Sequence, residues 1–141
     1  MGAEFNAFTS KEYTGFYVKA GSKHLELALD VLSQMIFKPR LLTEEMEMEK
    51  GVIIEEINMY EDQPIRDISN VFDTLLYSPD SLGWDVIGTK ETIRGMRRQD
   101  FVEHLQKWYW PGNIVLGIAG DSQQIDKGKF KIENLVEKYF S

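Results

Sequence analysis

Glu49 and Glu56 stand seven positions apart in the run EKGVIIEEINMYED, an otherwise apolar stretch with helical periodicity. An ionised carboxylate among apolar neighbours is costly unless a cation, a metal or a hydrogen-bond donor answers it. In a helix, seven residues make about 700° of rotation, so the two acids share a face to within ~20° and lie ~10.5 Å apart. Val52, Ile53 and Tyr60 fall on or near that face, whereas Glu55 points about 100° away, beside Met48, Gly51 and Met59. Two readings suit such a pair. Long Glu side chains can snorkel from the edge of an apolar stripe, or the acids can serve as a metal ligand or an acid/base pair whose charge is compensated. Spacing alone leaves both open.

The remaining chemistry-bearing residues narrow the field by what they lack. His24 and His104 are eighty positions apart and neither belongs to an H-x-x-x-H or H-x-x-E-H arrangement. A half-exposed helix residue describes His104 and a solvated one His24, and a catalytic zinc needs about three protein ligands and an open position. The chain has no cysteine, which removes thiolate nucleophiles, disulfides and cysteine metal sites. Neither a phosphate-cradling G-x-x-x-x-G-K-[ST] loop nor a G-x-G-x-x-G turn is present, and the GDS at residues 120–122 lacks the flanking glycines of a nucleophile elbow. Trp108, Tyr109 and Trp110 precede Pro111 and Gly112 at the end of a predicted helix, where core packing is expected of them.

The elements that would hold these residues follow from periodicity. FNAFTSKEYTGFYVKAG alternates about a short polar SKE break and predicts a β-hairpin. Leu25, Ala28, Leu29, Leu32, Met35 and Ile36 have the three-and-four spacing of an amphipathic helix, ended by Pro39. Thr43 is the expected N-cap of a second helix that carries both acids and runs to about Tyr60, with Glu44 and Glu45 suiting the positive end of its dipole. A third helix is expected from Arg66 to Leu76, then the punctuated loop SPDSLGWDVIGT, with Thr89 able to cap a short helical turn. DFVEHLQKWYW predicts a helix, NIVLGIAGD a buried strand and KIENLVEKYF a final amphipathic helix. The fold class expected is α+β, a mixed or antiparallel sheet with helices packed on one face, in a single domain over residues 1–141.

Composition agrees with an ordinary folded domain: 141 residues, 43% apolar and 28% charged. A net charge of −7 offers no basic surface for phosphates, so nucleic acid and anionic membrane are not expected as partners. With no long apolar run and no signal-like start, a cytoplasmic location is expected.

Taken together, GAEFNAFTSKEYTGFYVKA, HLELALDVLSQMIFKP, EMEKGVIIEEINMYEDQP, LGWDVIGTKETI and WYWPGNIVLGIAGD occur in an order and spacing that resemble the pitrilysin and mitochondrial-processing-peptidase family of zinc peptidases, the inverzincins. The resemblance covers nearly the whole chain and implies part of one half-domain of a zinc metalloendopeptidase. It implies that Glu56 is the third zinc ligand and Glu49 its supporting carboxylate. It implies also that Asn6, Ala7 and Phe8 form an edge strand on which an extended peptide or unfolded protein pairs by β-addition. The family's H-x-x-E-H motif, with two histidine ligands and the general-base glutamate, does not occur in the 141 residues. The isolated chain is therefore expected to bind zinc weakly or not at all and to hydrolyse no peptide. The alternative is a non-catalytic structural or substrate-binding subunit that assembles with a partner bearing H-x-x-E-H. An incomplete sheet leaves strands to pair, so self-association or a complementary half-domain is expected as partner.

Overall fold

The computed structural model describes residues 2–120 and 131–141. It is an α+β structure whose residues gather into two compact units. The first comprises Met1–Phe8, Thr14–Arg40 and Val102–Ser141, and the second Thr9–Tyr13 and Leu41–Phe101.

In the first unit, β1 (Glu4–Thr9) and β2 (Thr14–Lys19) form a two-stranded antiparallel sheet. Phe and Thr occur in both strands and Tyr and Val in β2, residue types that a pleated surface favours. The Tyr17 hydroxyl donates to Glu4 Oε1 across the pair at 3.0 Å. Gly15 leaves room for the Phe8 ring, which a methyl group at that position would overlap. Helix α1 (Leu25–Phe37) packs against β2 and against α6 (Ile132–Phe140). Leu29, Leu135 and Phe140 form the buried centre, flanked by Leu25, Leu32, Ile36 and Phe37. Full burial of a Leu or Phe side chain, as at Leu29, Leu135 and Phe140, contributes roughly 1.5–3 kcal/mol. Phe37 and Phe140 meet edge to face at 5.9 Å between centroids. Outside this core, Lys138 Nζ donates to Glu26 Oε1 at 2.8 Å and the Tyr139 hydroxyl to the same oxygen at 3.2 Å.

The expected strand NIVLGIAGD is corrected by the structure. Residues 114–119 join no ladder among the described residues, and Asp121 lies outside them. The pleat is nevertheless visible: Ile114, Leu116 and Ile118 are half-buried, with Leu116 and Ile118 against the Leu29 cluster, while Val115 is 98% exposed. One face of the segment finds a core, but its backbone finds no neighbouring strand there, and a ladder needs both.

In the second unit, α2 (Thr43–Glu61) packs against α3 (Pro64–Tyr77) and α4 (Lys90–Gly95), with Ile57 and Ile93 buried. Pro64 opens α3 at a position where its missing N–H costs nothing. Thr43 is not the cap of α2: Leu42 occupies that position and makes no side-chain cap bond. The loop between α3 and α4 is tied down by its polar residues. Thr74 Oγ1 donates to the Gly83 carbonyl at 2.8 Å, Asn70 Nδ2 to Asp85 Oδ2 at 2.8 Å, and Asp85 Oδ1 accepts the Ile87 N–H. Gly88 at φ +82° turns the chain into a capping box, in which Thr89 and Thr92 each satisfy the other's backbone N–H. Lys11, at the hairpin tip, pairs with Asp73 at 3.3 Å and donates to the Trp84 carbonyl.

Helix α5 (Arg98–Trp108) contains the boundary between the units. The tryptophans at its end and just beyond are a second correction. Trp108 and Trp110 are about half exposed, and it is Tyr109 that packs, edge-on to Phe16 at 6.4 Å. Three consecutive side chains cannot all face one core, so the middle one turns inward.

Candidate functional site

Helix α2 positions the acidic pair. Its inward stripe runs through Met46, Lys50, Ile53, Ile54 and Ile57, of which only Ile57 is fully buried. Glu49 and Glu56 lie about 80–100° to one side of Ile57, two turns apart on a shared flank, and both are exposed. Their neighbour Val52 is 60% exposed, so the acids stand beside apolar residues without being desolvated by them. That resolves the apparent mismatch in the sequence: the charge is held in water.

Glu56 is nonetheless fixed by a partner. The Tyr60 hydroxyl, one turn on, donates to Glu56 Oε1 at 2.9 Å. Tyr60 is half-buried and, with Ile57, Ile87 and Gly88, lines a cleft of about 500 Å³ whose rim carries Glu61, Asp67, Asp85 and Glu91. Lys90 at that rim is engaged by Glu61 at 2.6 Å. Glu55 points away from the pair and is exposed, as its angle on the helix predicts.

The donor chemistry of Glu56 suits zinc. An exposed carboxylate offers a hard oxygen of the kind zinc takes, and Oε2 carries no hydrogen bond among the described residues. Among those residues, however, no group of three His, Cys, Asp or Glu side chains comes together to hold a metal. His24 closes a short 3₁₀ turn before α1, and His104 is exposed beside the Tyr109 ring at 5.8 Å.

The other candidate segment belongs to the first unit. Asn6, Ala7 and Phe8 lie in β1, exposed along its whole length. Among the described residues β1 pairs with β2. Asn6 Oδ1 accepts the Ala7 N–H at 2.8 Å, which caps a backbone donor of that strand locally. The sequence pointed to the shared flank of the two acids and to a strand at residues 6–8, but not to Tyr60 as the hydrogen-bond partner of Glu56. Its i, i+4 spacing to an acid was the available signal.

The chain is similar to known proteins in sequence and in fold. Residues 1–89 match the family described as Insulinase (Peptidase family M16). The chain belongs to that family. It is 37% identical over 121 residues to the uncharacterized zinc protease YmxG of Bacillus subtilis, covering 86% of this chain and 30% of that protein. It is 34% identical over 133 residues to the human mitochondrial-processing peptidase subunit beta, covering 92% of this chain and 27% of that protein. Among solved structures, an M16-like peptidase from Alicyclobacillus acidocaldarius superposes with a TM-score of 0.75 at 28% identity, over 96% of this chain and 30% of that one. The chain thus spans less than a third of the length of these relatives. Among the described residues, no helix is long and apolar enough to cross a membrane.

Proposed function

We propose that these 141 residues are part of one half-domain of a zinc-dependent metalloendopeptidase that cleaves peptides bound as an added β-strand. The supporting observation is Glu56 itself: an exposed carboxylate, steadied through one oxygen by Tyr60, on α2 of a chain whose relatives are named zinc proteases. In this reading Glu56 holds the metal and Glu49, two turns earlier on the same flank, supports the site electrostatically. Two histidine ligands and a general base come from an H-x-x-E-H segment that is not among these residues. The chemistry a bound zinc supplies is Lewis-acid activation of water and of the scissile carbonyl. In this reading the β1 segment Asn6, Ala7 and Phe8 aligns an extended peptide through backbone hydrogen bonds, which depend little on its side chains.

The same reading places the protein in the cytoplasm and makes the isolated chain inactive. It gives the chain a complementary family half-domain, or a second copy of itself, as its partner. Peptide hydrolysis assayed on the chain alone and after mixing with a polypeptide bearing H-x-x-E-H tests this directly. The expected result is none in the first case and zinc-dependent cleavage, lost with Glu56→Ala, in the second. One relative is named a subunit, and the second reading is a non-catalytic structural or substrate-binding subunit that assembles with a partner bearing H-x-x-E-H. An assembly that binds peptide and cleaves none, with zinc present, supports that alternative.

A further inference from the structure

We propose that Tyr60 is a positioning residue for the Glu56 carboxylate, an inference that rests on reading Glu56 as a zinc ligand. The phenol donates to Glu56 Oε1 at 2.9 Å. A phenolic O–H to an ionised carboxylate acts as donor, so the bond occupies one oxygen and leaves the lone pairs of Oε2 for a cation. The donor is itself fixed, because the residue is half-buried at a cleft that it lines beside the buried Ile57 and with Ile87. An exposed glutamate otherwise samples many rotamers, and ordering it at the moment of metal binding has an entropic cost. Here that ordering is provided in advance by a side chain anchored on the same helix. Ligating carboxylates are commonly held by such outer hydrogen bonds, whose loss costs roughly 10–100-fold in metal affinity.

Tyr60→Phe isolates the hydroxyl while keeping the ring and its packing. Zinc affinity is measured by chelator competition on the assembly of this chain with the polypeptide that carries H-x-x-E-H. The expected result is a fall of about 10–100-fold, a shift of the visible bands of the cobalt-substituted assembly, and an unchanged thermal midpoint without metal. Glu56→Ala runs beside it as the control on the underlying reading. If zinc affinity survives Glu56→Ala, or if no assembly binds zinc, the ligand assignment fails and this inference with it. If Glu56→Ala abolishes binding while Tyr60→Phe leaves affinity and the cobalt bands untouched, only the role of Tyr60 is overturned. A Tyr60→Phe variant that loses affinity and thermal midpoint together, with unshifted cobalt bands, assigns the tyrosine to structure and likewise overturns it.

Discussion

Glu56 and Glu26 show two ways in which a carboxylate of this chain is held. Glu56 is met by a neutral phenol on its own helix, and Glu26 by the ammonium of Lys138 and the hydroxyl of Tyr139. The hydrogen bond between Glu26 and Lys138, above all, draws the Glu26 carboxyl below the usual glutamate value and raises Lys138 above the usual lysine value, with a smaller Coulomb attraction acting in the same direction and desolvation opposing both. A depressed carboxylate stabilises the fold above its unfolded pKa, about 4.3, and the contribution is lost as pH falls through the lower folded value. The raised lysine acts in the opposite sense, contributing below its unfolded pKa and losing its effect only as pH climbs past the folded one. The pair is therefore in force across neutral pH. Thermal midpoints followed from pH 7 down to pH 3 should show Glu26→Gln less stable than wild type near neutrality, with the gap closing at the acid end. At this scale the sequence was informative where chemistry follows from spacing: seven residues on a helix put Glu49 with Glu56 and set Glu55 apart. It could not show that Glu56 is solvated, nor that Tyr60 reaches it, because both depend on which flank of α2 finds a packing partner.

Helices and their punctuation were the most legible elements. Apolar residues three and four apart located α1, Pro39 ended it, and Thr89 was found capping a short helix as expected, whereas α3 begins at Pro64, two residues before the expected Arg66. Thr89→Ala removes one half of the capping box, and chemical denaturation should register a loss of about 1 kcal/mol. Leu29→Ala empties the centre of the first unit's core, with a loss of about 2–5 kcal/mol expected in the same experiment. The elements that misled are those set by distant partners. Thr43 has the right chemistry for a cap, yet the chain enters α2 one residue earlier, through Leu42. Leu41 just before it adopts a left-handed backbone at φ 46°, and its carbonyl accepts from Arg98 Nε at 3.0 Å. The run at residues 114–119 keeps the alternation of a strand without a ladder, since a sequence encodes a strand's faces but not the presence of a neighbour.

Across the whole molecule, the feature with the largest consequence is apolar surface left in water. Ile65, Ile68, Phe72 and Leu75 recur along one side of α3, Ile65 being 90% and Leu75 83% exposed. A contiguous patch of this kind marks an interaction surface or an aggregation liability, in keeping with a chain that spans less than a third of its relatives. Light scattering over a range of concentrations should find the isolated chain self-associating, and Ile65→Glu with Leu75→Glu should shift it towards monomer; a compact monomer at every concentration would argue against this. The central claim, that Glu56 is one ligand of a zinc site completed by residues outside these 141, is tested most directly by calorimetric titration of zinc. The titrations would use the pure chain, its assembly with an H-x-x-E-H-bearing polypeptide, and the same assembly carrying Glu56→Ala. The account predicts weak or no binding to the chain, one tight zinc per assembly, and loss of that site with Glu56→Ala. A tight stoichiometric site on the chain alone, or one in the assembly that survives Glu56→Ala, would contradict it.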